Sequence, residues 1–115
     1  PRATIFPVVG NHETHPVNLF SPPGVPPKFS TDWVYASAAK AWSRWIPPES
    51  MHNFLYAGFY DRVINPHFRV IVLNTNLCYT FNFWQMYEDK DPSGQLRWLA
   101  TELQKSEDLD QKVHI

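Results

Sequence analysis

The sequence predicts a layered α/β fold, and three observations carry that prediction. Val70-Ile71-Val72-Leu73 is a continuous, mostly β-branched apolar run, the pattern of a strand buried on both faces. Leu96, Leu99, Ala100 and Leu103 recur at the spacing of one helix face. Polar clusters, Asn11-His12-Glu13 and Asn74-Thr75-Asn76, close two strand candidates at their carboxyl ends, where α/β proteins tend to place ligands.

In chain order, Thr4 to Val9 reads as the first strand, with Ile5, Val8 and Val9 suited to a pleated surface. Pro7 cannot donate to a ladder, so it points to an edge or a bulge. Gly10 ends the strand; lacking a Cβ, it permits a sharp turn and close ligand approach. From Asn11 to Ser30 the chain carries Pro16, Pro22, Pro23, Pro26 and Pro27, which predicts a long, extended loop able to rim a cleft. Thr31 or Asp32 then caps a helix from Trp33 to Ile46. Tyr35, Ala38, Ala39, Trp42, Trp45 and Ile46 form its apolar face, and Pro47-Pro48 stop it.

Ala57 to Asp61 reads as a short strand, Asn65-Pro66 as a turn and Val70 to Leu73 as the buried strand. Phe81 to Met86 suggests a short helix. Asp91 with Pro92 behind it marks a second helix start, and Val113 and Ile115 begin another strand. The order β-α-β-β-α-α-β is that of a layered α/β domain.

At 115 residues the chain is one domain or part of one. Its net charge of −1 gives no electrostatic ground for nucleic acid or an anionic membrane as partner. No apolar run reaches the roughly 20 residues needed to span a bilayer, and no secretory signal stands at the start. The chain opens on Pro1 and closes on what reads as a new strand, so the expectation is a fragment of a longer protein, cut within a single domain at both ends.

Asn11, His12 and Glu13 place a neutral oxygen donor, an imidazole and a carboxylate side by side. An amide oxygen is a metal ligand that adds no negative charge facing a phosphate. Imidazole suits a general acid, and Glu13 is placed to orient the loop or to hold the imidazole charged. The alternative for the same three residues is a polar turn capping a strand. His12-Glu13-Thr14-His15 is not a zincin motif, because its histidines are three apart rather than four. His15, His52 and His67 read as surface residues, and Phe83 and Trp84 as packing. Cys78 is the lone cysteine, either a buried free thiol or half of a bridge whose partner lies elsewhere. No Asn-x-Ser/Thr acceptor is present.

Gly10-Asn11-His12-Glu13 resembles the Gly-Asn-His-Asp/Glu motif of the calcineurin-like metallophosphoesterases. Pro16-Val17-Asn18, Ala39-Lys40-Ala41-Trp42, Gly58-Phe59-Tyr60, Leu73-Asn74-Thr75-Asn76-Leu77-Cys78, Asn82-Phe83-Trp84, Asp91-Pro92-Ser93-Gly94-Gln95-Leu96 and Lys112-Val113-His114-Ile115 follow in the order of the acid sphingomyelinase family. The resemblance covers nearly the whole chain. It implies part of a β-sandwich flanked by helices, layered α/β/β/α, and a phosphoric diester hydrolase that splits sphingomyelin using two zinc ions. By resemblance Asn11 is a zinc ligand and His12 protonates the departing ceramide oxygen; Asn18, close to them in the Pro-Val-Asn stretch, is expected to line the substrate cleft. Cys78 pairs with a cysteine beyond Ile115. The other ligands fall before Pro1 and after Ile115; His114 is not one of them. The chain alone is therefore expected to lack two metals and activity.

The family also implies a lysosomal or secreted protein that meets lipid through a saposin domain lying outside this chain. Phe81 departs from the pattern, standing where the family carries a carboxylate. Two alternatives remain: a related phosphodiesterase of nucleotides or other phosphoesters, and a non-catalytic binding module.

Overall fold

In the computed structural model, residues 3–87 and 90–115 are described. Their elements are α1 (Asp32–Trp42), α2 (Met51–Ala57), β1 (Tyr60–Asn65), β2 (Phe68–Val72), α3 (Gln95–Asp108) and β3 (Lys112–His114). The strands form one sheet in the order β1-β2-β3. β1 and β2 are an antiparallel hairpin turned at Asn65-Pro66-His67, where Asn65 Oδ1 accepts the His67 amide at 2.9 Å. β2 and β3 run parallel, with α3 in the crossover between them. The prediction of an α/β chain holds.

β2 is the strand the sequence marked, and Val70, Ile71 and Val72 are all buried. The core gathers Val70 and Val72 with Val34, Tyr35, Ile46, Phe54, Phe59, Tyr60 and Leu77. Phe54 sits edge-on to both Tyr35 and Tyr60, with ring centroids 6.3 and 6.0 Å away.

Thr4 to Val9 does not become a strand. The segment joins no ladder, and Ile5 and Val8 are 44% and 56% exposed. Side chains take two of its carbonyls instead: Tyr60 Oη donates to Pro7 O at 3.0 Å and Asn76 Nδ2 to Val9 O at 3.0 Å. The predicted helix from Trp33 to Ile46 stops at Trp42, where both the Trp45 and Ile46 amides return to the Trp42 carbonyl. Arg62 Nη1 then claims Trp45 O at 3.1 Å. Thr31 stands at the cap position of α1 but does not cap it. Its hydroxyl accepts from the Ser21 amide at 2.8 Å and its own amide donates to Ser21 Oγ at 2.9 Å, which seals the proline-rich loop onto the helix.

Ala57 ends a helix rather than opening a strand. α2 was missed, although Pro48 near its start and Gly58 past its end are the usual punctuation. Gly58 has φ of 80°, and a Cβ there would lie 2.7 Å from Tyr35 Cε1.

The predicted Phe81–Met86 helix is a 3-10 turn, Phe83–Met86, and Phe83 is 65% exposed rather than packed. α3 starts later than Asp91-Pro92 predicted: a 3-10 turn, Pro92–Gly94, intervenes and Gly94 takes the cap position, while the Asp91 carboxylate still accepts the Leu96 and Arg97 amides at 2.8 and 3.1 Å. The buried face of α3 is not the predicted apolar one. Leu96 and Leu103 are exposed, while Gln95, Glu102 and Ser106 face inward. Polar partners on the sheet decide this. Arg69 of β2 needs Glu102, at 2.6 Å, and the Asn74 backbone needs Gln95. Among the described residues no helix is long and apolar enough to cross a membrane.

Candidate phosphodiester site

Residues 10–19 form a loop that closes on itself. The Asn18 amide donates to Asn11 O at 3.0 Å, and Asn11 Nδ2 donates to Asn18 Oδ1 at 2.9 Å. Asn18 adopts φ of 70°, the left-handed conformation that asparagine tolerates better than most side chains. The pairing fixes the Asn11 amide by its nitrogen. Its Oδ1 accepts no hydrogen bond among the described residues, so this hard oxygen remains available to a cation. Asn11 lines a cleft of about 490 Å³ together with Thr75, Asn76, Cys78 and Tyr79. The polar cluster after β2 therefore meets the polar cluster after Val9, although only the first of them follows a strand.

His12 is exposed and beside Asn11 in the chain, open to a ligand. Glu13 does not pair with it. The Glu13 carboxylate folds back over Gly10, where a Cβ would lie 2.7 Å from Oε2. Of the two roles expected for Glu13, the geometry favours shaping the loop. Gly10 is needed for this space, not for a left-handed backbone. The structure thus brings Asn11, Asn18 and Cys78 to one region, with His12 exposed next to Asn11 in the chain.

Cys78 is exposed, not a buried thiol. Partial desolvation of the sulfur, with a smaller push from Asp91, still holds its thiol above the ordinary range. Thr75 belongs to the Asn74-Thr75-Asn76 cluster that the sequence marked, whereas Tyr79 is a cleft residue that the sequence reading did not assign to the site. Among the described residues no three histidine, cysteine or acidic side chains gather closely enough to hold a metal. Zinc sites normally take three or four protein ligands. Among the described residues Asn11 offers one oxygen donor, fewer than such a site takes.

No family model matches the chain. Curated relatives do. Human sphingomyelin phosphodiesterase is 46% identical over 111 residues, 96% of this chain. Sphingomyelin phosphodiesterase B of Dictyostelium discoideum is 36% identical over 115 residues, 98% of the chain. The chain is a sphingomyelin phosphodiesterase homologue. Human cyclic GMP-AMP phosphodiesterase SMPDL3A is also similar, 34% identical over 117 residues. This homologue spans 18% of the length of the human sphingomyelin phosphodiesterase and 24% of the length of the cyclic GMP-AMP enzyme. The similarity to these relatives thus runs along essentially the full extent of the chain.

Proposed function

We propose that the protein carrying this chain hydrolyses sphingomyelin to ceramide and phosphocholine. The observation that carries the reading is the Asn11–Asn18 pairing, which turns a neutral oxygen donor free beside an open His12. In this reading water adds its oxygen to phosphorus, the bond from phosphorus to the ceramide oxygen breaks, and His12 delivers a proton to that oxygen. Two zinc ions, when bound, would neutralise phosphate oxygens and lower the pKa of a water. Asn11 contributes one ligand, held by Asn18, and the rest come from elsewhere in the protein, so the chain by itself is inactive. Asn18 also borders the substrate. Cys78 is bridged to a cysteine outside the chain, which fits an oxidising, lysosomal or extracellular setting. Lipid contact is made by other parts of the protein.

A second reading is hydrolysis of a nucleotide phosphodiester. It is favoured by the similarity to the cyclic GMP-AMP enzyme and by Phe81, which is 56% exposed in place of the expected carboxylate. The higher identity to the sphingomyelin enzymes weighs against it. The full-length protein assayed side by side on sphingomyelin and cyclic GMP-AMP separates the two: preference for the lipid upholds the first reading, and preference for the nucleotide replaces it with the second.

A further inference from the structure

We propose that Asn76 and Asn82 are positioning residues of this same site, acting on Asn11 and His12 through the backbone at the two ends of their loop. The inference rests on the phosphodiester reading above and adds residues to which that reading gives no role.

The loop from Gly10 to Leu19 has no strand ladder to hold it, because residues 3–10 pair with nothing in the sheet. Two buried carboxamides take the place of the ladder. On the amino-terminal side, Asn76 Nδ2 donates to Val9 O at 3.0 Å, one residue before Gly10. On the other side, Asn82 Oδ1 accepts the Phe20 amide at 3.2 Å and Asn82 Nδ2 donates to Phe20 O at 3.0 Å. Asn82 thus grips both backbone polar groups of Phe20 as a neighbouring strand would, two residues after Asn18.

The two grips are joined. Asn82 Nδ2 also donates to Asn76 O at 3.2 Å, and Asn76 Nδ2 donates to Asn74 Oδ1 at 2.9 Å. Asn74 is rooted in the core. Its Nδ2 donates to Tyr35 Oη at 3.1 Å and Ala57 O at 2.9 Å, and its backbone is held by Gln95. Asn76 and Asn82 are 7% and 2% exposed, so water does not substitute for them. Only a carboxamide supplies donor and acceptor together at this size. An aspartate at 76 would aim an acceptor at two acceptors, Val9 O and Asn74 Oδ1.

A misplacement of about 1 Å at a reacting group costs on the order of 100-fold in rate. The test uses the full-length protein carrying Asn76→Ala, Asn76→Asp or Asn82→Ala. It reads hydrolysis of sphingomyelin in detergent micelles and of bis(p-nitrophenyl) phosphate, with amide hydrogen exchange across residues 11–19. The expected result is kcat lower by about 100-fold with KM moved less than about threefold, the mark of lost transition-state alignment. Exchange in 11–19 should quicken while α1 is unchanged. Unchanged kcat, or activity lost only in proportion to folded protein, overturns the proposal. If the variants do not fold, the wild-type protein decides: the clamp requires the Phe20 amide to exchange far more slowly than the exposed loop amides, and equal rates overturn it. If the wild-type protein cleaves neither substrate, the phosphodiester reading fails, and exchange in the variants still judges the clamp.

Discussion

Replacing Glu102 by alanine strands a guanidinium inside the molecule. Arg69 Nη1 lies 2.6 Å from Glu102 Oε2, and the two side chains are 8% and 10% exposed. The second carboxylate, Asp61, is 3.6 Å away and already accepts from Ser50 Oγ at 3.0 Å. Lys105, 2.7 Å from Glu102 Oε1, is 56% exposed and is solvated without its partner. Breaking a buried pair costs about 3–5 kcal/mol, and the residual Asp61 contact places this case near the lower end, at about 3 kcal/mol. Glu102→Gln keeps an acceptor and should cost about half of that. Replacing both partners, Arg69→Met with Glu102→Leu, removes the stranded charge and should return to within about 1 kcal/mol of the parent. Urea unfolding of the full-length protein, read by amide exchange in β2 and α3, measures all three. A loss under about 0.5 kcal/mol for Glu102→Ala would mean that the pair behaves as a solvated surface bridge, and the explanation for the polar inward face of α3 would fall with it.

Gly58→Ala should cost about 3 kcal/mol by the same urea assay, combining a left-handed alanine with overpacking against Tyr35 and Asn74; a cost under about 1 kcal/mol would count against the tight Gly58 turn. Alkaline pH should destabilise the fold. Burial pushes the Tyr60 hydroxyl from the usual 10.0 up to about 12 despite the pull of Arg62, and burial with a contribution from Asp32 raises Tyr35 further, against the Asn74 hydrogen bond. The unfolded chain therefore loses these protons first. The Tyr60 contribution is complete below about pH 10 and disappears by about pH 12. A urea midpoint flat across that window, or unchanged in its pH dependence by Tyr60→Phe, contradicts the assignment. Asn18→Ala puts alanine in a left-handed conformation at about 1–2 kcal/mol and frees the Asn11 amide to rotate. Sphingomyelin turnover and zinc content should both fall in the full-length variant, and full zinc occupancy would show that Asn11 needs no such hold.

The fold was most legible where side-chain pattern and burial agree. The Val70 to Leu73 run gave β2 within two residues, and Asp91 marked the turn that leads into α3. It was least legible where hydrogen bonding overrode pattern. Hydrophobic periodicity put Leu96 and Leu103 inside, but the demands of Arg69 and the Asn74 backbone turned Glu102 and Gln95 inward instead. The Thr4 to Val9 run has strand composition and no ladder, because Tyr60 and Asn76 take its carbonyls across 53 and 67 residues of sequence. At the candidate site, Asn11, His12 and Asn18 were visible as a motif. The holding roles of the carboxamides were not: Asn76 was marked only as part of a polar cluster and Asn82 only within a motif, and the fold alone brings them to Val9 and Phe20.

In the proposed reaction His12 donates the proton to the departing alkoxide of sphingomyelin. The most direct measurement is turnover of labelled sphingomyelin at about pH 5, a range in which an ordinary imidazole is protonated, by the full-length protein and its His12→Ala variant, with zinc measured in both. The account predicts ceramide and phosphocholine from the wild-type protein, and a variant that keeps its zinc while turnover falls by about 100-fold or more. A zinc-loaded wild-type protein that leaves sphingomyelin intact, or a His12→Ala variant that cleaves it at the parent rate, would contradict it.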